Sequence, residues 1–477
     1  MLLTIDLYRV IVNTSWLKIE LDHIDRIQET VVRLVMLVEV DPAFIDQEVA
    51  VAGRNILRRC VHRGFCNSHC PTFLATKEVD NSPRGRVYLI KQYLQGEELT
   101  KDQKQAIQQC VNCRRCETDC PSGVEVARLI RLAKSALDRQ STPPLKQRLI
   151  EFGLSRLSPR NEPNHLVLKA GAKLKLLPNA LPLRAAFHHS KSSQPHIIKP
   201  KEQLEKLGTV LLIAGCGDKS LNSKGALAAT SLLKSLGFEV ISAPRSGCCG
   251  AINIGLGKTE QAKQQMRSNL RNWQPYLTDE NLQGVVALSS SCELALSQYQ
   301  DLVGDESNFI ELVETLSNKL VNLAELVGPH LSRADLNSLE RLKVAVHLPC
   351  SLQNGLDKHK PLIELIDKLP VERVEVNESR VCCGSGGSYR FIHPEMSKTI
   401  GQSKAQNLTI NSPDLIITAN ASCLMHLVSY VDIPVVHWVE LVQRLVGCRG
   451  ESRDRAVPCE RRGIKALTKL LATRSEV

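Results

Sequence analysis

The sequence predicts an α/β protein in which a small, α-helical, cysteine-bearing N-terminal domain precedes two repeated α/β units. Three observations predict it. Seven of the 17 cysteines fall in two short runs, CVHRGFCNSHCP (60–71) and CVNCRRCETDCP (110–121). Between residues 208 and 446 a pattern of apolar strand, cysteine and Cys-Cys-Gly occurs twice with the same spacing. The stretch between these regions is rich in Pro, Ser and Lys, which is linker composition.

A chain of 477 residues exceeds a single core and divides into domains of about 100–200 residues. Residues 1–55 form an N-terminal extension without cysteine and without an assignable role. Residues 56–138 hold the two runs. Residues 139–207 carry 13 Lys and Arg against 4 Glu, and the tail 447–477 is basic as well, so the net charge of +11 belongs to a linker and a tail. Such segments are solvated or attracted to an anionic membrane surface or an acidic partner. Nucleic-acid binding is not expected, because no aromatic side chains interleave with the charges. No apolar stretch reaches 18 residues and nothing reads as a cleavable signal. The expected location is the cytoplasm, with the inner face of the plasma membrane as a peripheral site. Thiols stay reduced there, so clustered cysteines bind metal more readily than they form disulfides.

The second run is a complete C-x2-C-x2-C-x3-C-P, the spacing of a ferredoxin-like 4Fe–4S domain. Its two-residue gaps wrap three thiolates around one cluster, and the fourth cysteine ligates the neighbouring one. One cluster is thus expected on Cys110, Cys113, Cys116 and Cys70, the other on Cys60, Cys66 and Cys120. The first run has Arg63 where the second thiolate belongs. Arginine stays protonated and offers a metal no lone pair. The expected consequence is a 3Fe–4S cluster in place of 4Fe–4S. The alternatives are a fourth iron held by hydroxide or His62, or no cluster at all.

In the first repeat, VLLIAG (210–215) leads into Cys216, and Cys248-Cys249-Gly250 follows 32 residues later; GVVALSSSC (284–292) ends at Cys292. In the second, VAVHLP (344–349) leads into Cys350, Cys382-Cys383-Gly384 follows after the same 32, and LIITANASC (415–423) ends at Cys423. Strands alternating with helical stretches predict parallel sheets, here in cysteine-rich units at 208–330 and 331–446. Their thiols would lie at carboxyl strand ends, where open α/β sheets place ligands. Each set of four suits a further cluster, a zinc–thiolate site or buried free thiols. The glycines of GSGG (384–387) allow backbone N–H groups to approach sulfur and do not read as a phosphate loop. His347, His393, His426 and His437 read as packed or hydrogen-bonded residues. PRGR (83–86) opens a helix, and its arginines are able to offset cluster charge. Cys448 and Cys459 read as free thiols. No nucleotide fingerprint, nucleophile elbow or outstanding carboxylate pair is present, so no catalytic residue is assigned.

These motifs, with SPRGRVYLIKQYLQG, SGCCGAINIGL, VCCGSGGSYRFIHP, TANASCLMHL and VVHWVELV, resemble the iron–sulfur subunit of bacterial glycolate oxidase (glycolate dehydrogenase) over residues from about 50 to about 446. The resemblance implies oxidation of glycolate to glyoxylate at a flavin on a partner subunit, with electrons passing through this chain towards a quinone or membrane acceptor. It implies no catalysis by the chain alone. The duplicated unit also occurs in subunits for lactate utilisation, anaerobic glycerol-3-phosphate dehydrogenase and heterodisulfide reductase, and these remain alternatives, as does a non-redox metal scaffold or inactive paralogue. Ser289 and Asn420 stand where the heterodisulfide reductase relatives have the first cysteine of a CxxC. Residues 1–35 and the basic tail have no counterpart in the family pattern.

Overall fold

The computed structural model describes residues 36–44, 46–140, 144–156, 205–221, 223–333, 336 and 342–446. Residues 1–35, most of the basic linker, and the tail with Cys448 and Cys459 lie outside the described residues.

The N-terminal region is helical, and each helix start is set locally. Asp46 caps helix Gln47–Leu57 by accepting the Val49 N–H. Ser82 caps Pro83–Leu94 by accepting the Gly85 N–H, with proline at the first helical position. Thr100 and Gln103 form a capping box on Lys101–Gln108. Helix Val126–Gln140 buries Val126, Leu129, Ile130, Ala133 and Leu137, the i, i+3, i+4, i+7 stripe of an amphipathic helix. Leu57, Leu89, Ile90, Leu94 and Ile107 close the core against that stripe, and Cys60, Cys110, Cys116 and Cys120 line its edge. PRGR begins the Pro83–Leu94 helix, and its glycine is needed because a β-carbon at Gly85 would collide with the Val79 carbonyl.

Two parallel sheets follow. In the first, β1 (Thr209–Ile213) lies between β2 (Glu239–Ser242) and β3 (Leu282–Ala287). In the second, β4 (Lys343–His347) lies between β5 (Glu372–Val374) and β6 (Leu415–Thr418), with β7 (Val435–His437) beyond β6. β7 is not marked by the cysteine pattern. In the first unit an isolated bridge between Leu320 and Val285 takes its place.

All five residues of β1 are buried, as parallel sheets covered on both faces require. Side chains alternate between faces. Val210 and Leu212 point with Val344 and Val346 into one core, closed by Leu232 of helix Ser223–Ser235 and Val439 and Val442 of helix Trp438–Leu445. The two units therefore share an interior. Leu211 and Ile213 face the other way, against Met266, Trp273 and Tyr299. Trp273 is fully buried and its indole N–H donates to Ser246 Oγ at 2.9 Å; side chains of this kind are worth about 3–5 kcal/mol to a core. Ala345, on the corresponding face of β4, packs with Leu408, Ile416 and Leu424. Among the described residues no helix is long and apolar enough to cross a membrane.

Candidate metal centres

Cys110, Cys113 and Cys116 wind round one cavity with Cys70, which arrives from the other run. Cys70 caps helix Pro71–Thr76, and its Sγ lies 3.3 Å from Thr72 Oγ1 and 3.8 Å from a nitrogen of Arg86. Arg86 is 1% exposed, with Nε donating to the Ala106 carbonyl at 2.7 Å. A buried cation held against a thiolate site offsets negative charge, so the PRGR arginine at 86 has this role beside its place in the helix. Lys134 Nζ donates to the Cys110 carbonyl at 3.1 Å. Burial, then neighbouring thiols, pushes Cys113 and Cys116 well above the ordinary thiol range. Such thiols are neutral when metal-free, and a bound metal ionises them with release of protons. A soft, all-thiol set at ferredoxin spacing fits an iron–sulfur cluster.

The first run repeats this backbone. Asn112 and Arg114 adopt left-handed φ of 60° and 59°, and the matching His62 and Gly64 adopt 53° and 83°. Left-handed non-glycine residues are uncommon, so two at matched positions mark one loop conformation. Cys60 and Cys66 face Cys120, and burial, followed by Cys60, pushes Cys66 up to about 11. Arg63, at the place of Cys113, is exposed. His62 Nε2 is buried with no hydrogen-bond partner among the described residues.

Both cysteine-rich units bring their four thiols together. In the first, Cys216 opens helix Cys216–Leu221, and Cys292 is the third residue of helix Ser290–Ser297, so it lies one turn inside a helix and not on the strand. Asn269 Nδ2 and the Tyr299 hydroxyl donate to the carbonyls of Cys248 and Cys249 at 3.0 and 3.2 Å. Cys216 is raised by a hydrogen bond with Cys248 and by burial, and Cys249 by hydrogen bonds with Cys248 and Cys292 and by burial. In the second, Cys350 and Cys382 lie 3.8 Å apart, and the Gly384 N–H donates to Cys382 Sγ at 3.4 Å. Gly384 has φ of 81°, and a β-carbon there would press on Ile400, which is the backbone approach expected of GSGG.

Ser289 and Asn420 link the units. The Ala421 N–H donates to Ser289 Oγ at 3.1 Å, and Ser291 Oγ donates to Asn420 Oδ1 at 3.0 Å. Their non-thiol side chains thus join the two sites by hydrogen bonds.

The second unit also adjoins the N-terminal region. Asn354 Nδ2 donates to the Cys113 carbonyl at 3.0 Å, and the Tyr389 hydroxyl to the Gln109 carbonyl at 2.9 Å. Thiols on both sides, Cys110, Cys70 and Cys382, raise the Tyr389 phenol behind the larger effect of burial. Neither Asn354, in the π-helical turn Ser351–Gly355, nor Tyr389, at the start of the short helix Tyr389–Ile392, was picked out by sequence reasoning, because each contact joins segments far apart in the chain.

Of the four histidines, His426 Nε2 lies 3.2 Å from the Ser397 carbonyl, and His437 Nδ1 accepts the Val439 N–H. His393 stacks at a tilt on Tyr389. His347 differs. It is 1% exposed, neither ring nitrogen has a hydrogen-bond partner among the described residues, and its ring lies with Cys383 and Cys423. An unsatisfied buried polar group costs about 1–3 kcal/mol.

Residues 56–124 match the 4Fe-4S dicluster domain family, and residues 210–297 and 344–428 match the cysteine-rich domain family. The chain is 30% identical over 402 residues to the glycolate oxidase iron–sulfur subunit of Escherichia coli, covering 83% of this chain and 95% of that one. It is 25% identical to a probable glycolate oxidase iron–sulfur subunit of Bacillus subtilis, covering 78% and 88%. Lactate utilization protein A of Oceanobacillus iheyensis is 24% identical and covers 44% of this chain and 86% of its own length.

Proposed function

The chain belongs to the family of glycolate oxidase iron–sulfur subunits, and from that premise we propose that it carries electrons from a flavin on a partner subunit, where glycolate becomes glyoxylate, to a quinone. Glycolate gives up two electrons and two protons to the flavin, and the quinone takes up two of each. The bound clusters supply one-electron steps between these two-electron ends. The chain holds them through Cys60, Cys66 and Cys120 at one centre and through Cys70, Cys110, Cys113 and Cys116 at the other, and the thiols of the cysteine-rich units hold further redox metal. One observation carries the reading: the Asn354–Cys113 and Tyr389–Gln109 hydrogen bonds hold a ferredoxin-type loop against the second unit, where the Cys113 thiol comes under the influence of Cys350 and acts on Cys382. A relay needs that continuity, whereas separate structural metal sites do not. The complex is an oxidoreductase acting on a CH–OH donor with an acceptor other than NAD.

The purified chain alone is expected to leave a redox dye unreduced by glycolate, and adding the co-purifying flavoprotein is expected to restore reduction. Glycolate-dependent reduction by the flavin-free chain would refute this division of labour. Lactate or glycerol phosphate as the partner's substrate is the competing outcome, read in the same assay. The glycolate relative matches 83% of this chain and the lactate relative 44%, which supports glycolate. Reducible iron signals in electron paramagnetic resonance (EPR) separate the relay from an inert scaffold.

The tail and most of the linker lie outside the described residues, and together linker and tail carry the chain's net positive charge. We place them against an anionic membrane surface on the cytoplasmic side. The Debye length falls from about 8 Å at 0.15 M salt to about 3 Å at 1 M. Sedimentation of the complex with vesicles containing anionic lipid should therefore be lost at 1 M salt, and retention at that salt would mean that something other than charge holds it.

A further inference from the structure

We propose that His347 is a metal ligand, completing with Cys383 and Cys423 a mixed nitrogen–sulfur site for a redox-active iron ion in the second cysteine-rich unit. The inference rests on the reading of that unit as metal-bearing, and not on the identity of the partner's substrate.

A nitrogen of His347 and the Sγ atoms of Cys383 and Cys423 all lie within 4.8 Å of one another. Ligands around one tetrahedral ion, with metal–sulfur bonds of about 2.3 Å and metal–nitrogen bonds of about 2.0–2.1 Å, stand roughly 3.5–3.8 Å apart. The trio needs only a small contraction to enclose one ion. Thiolates on separate irons of a cluster spread wider, because an iron–iron separation lies between them. Cys382, hydrogen-bonded to Cys383 and 3.8 Å from Cys350, stands beside the trio and would swing in as the remaining thiolate.

The strand makes this position. His347 is the last residue of β4, two beyond Ala345, so it shares the face on which Ala345 packs with Cys383 and Cys423. A histidine that merely packed there would leave two ring nitrogens buried without a partner. Ligation satisfies one of them.

The repeat provides an internal comparison. Cys216 and Cys350 occupy matching places, and three residues before them stand Ile213 and His347. Ile213 packs with Cys248, Cys249 and Cys292 in the first unit. Leu270 is likewise the counterpart of Lys404, whose ammonium donates to the carbonyls of Glu378 and Ser379 at 2.8 and 3.0 Å. At these two positions one unit has aliphatic side chains, and the other has an imidazole and a buried cation. The two sites are built for differently ligated metals.

The test uses the full chain, purified anaerobically, as wild type, His347→Ile (the first unit's residue) and His347→Cys. Elemental analysis identifies the metal. Electron–nuclear double resonance reads the nitrogen coordinated to iron. The expected result is an imidazole signature in the wild type that both variants lose. His347→Ile should also lose metal affinity by ~10–100-fold or more, the loss that removing a ligand's hydrogen-bond partner already produces. His347→Cys should retain the metal on sulfur alone, which distinguishes ligation from a folding defect. A nitrogen signature unchanged in both variants, or a wild type with no metal beyond the ferredoxin-type centres, overturns the proposal. Neither readout involves glycolate, so failure here and failure of the substrate assignment are separately visible.

Discussion

Cys113→Ser is expected to bring glycolate-dependent quinone reduction by the reconstituted complex to background, with loss of roughly four irons per chain, one cluster of the ferredoxin type. The size of the effect follows from position. Cys113 faces Cys70 and Cys110 on one side and Cys350 on the other, and all of them act on its thiol. Its carbonyl is held by Asn354 of the second unit. Serine keeps the size and the backbone bond but is a harder, less acidic ligand. The flavoprotein's own reduction by glycolate, followed by bleaching of flavin absorbance, should remain intact, because the substrate is oxidised on the other chain. Iron analysis, flavin bleaching and quinone reduction measured on one preparation give three separate readings. If the variant keeps its iron and its quinone rate, this centre is not on the route and the continuity argument fails. If flavin bleaching falls too, the damage has spread to the partner interface.

Legibility in the sequence followed the range of the interaction. The ferredoxin-type runs were readable because their ligands lie a few residues apart on one loop. Even the crossing of Cys70 and Cys120 between centres is written in the Cys-Pro that ends each run. The repeat was readable because its strands, cysteines and Cys-Cys-Gly recur at one spacing. What escaped depends on chain segments distant in sequence. That Val210 and Val344 share a core follows from two sheets meeting. The hydrogen bond from Tyr389 to Gln109 spans 280 positions. β7 is only three residues long, too short for a periodicity to declare itself. His347 reads in the sequence as a packed or hydrogen-bonded residue, and the structure gives neither ring nitrogen a hydrogen-bond partner among the described residues. The signal that distinguishes it was present: strand parity puts it on the cysteine face, and the other repeat has isoleucine there. Reading that signal needed the repeat aligned position by position. Arg86 shows the reverse case, where PRGR was read both as a helix start and as a charge, and the buried guanidinium beside Cys70 serves in both.

Arg63→Cys is expected to add roughly one iron atom per chain and to replace a three-iron EPR signal in the oxidised protein with four-iron behaviour on reduction. The loop is already shaped for it. His62 and Gly64 hold the left-handed backbone that Asn112 and Arg114 use to present Cys113, so a cysteine at 63 inherits a ligating conformation without rearrangement. Arg63 is exposed and takes none of the cluster's place, which argues against a loop rebuilt around hydrogen bonds from the guanidinium. Cys60, Cys66 and Cys120 then suffice for three irons. The rival within the site is His62, whose Nε2 is buried without a hydrogen-bond partner among the described residues and stands one residue from the missing thiolate. Iron content decides between them. A fourth iron held by His62 or hydroxide gives the parent its full complement already, and Arg63→Cys would then change the spectrum but not the count. An absent first cluster would give the parent about three irons fewer than the three-iron expectation, with the variant gaining about four. A parent and variant alike in both iron content and spectrum would remove position 63 from cluster chemistry altogether. That outcome conflicts with the matched loop geometry and is the least expected of the four.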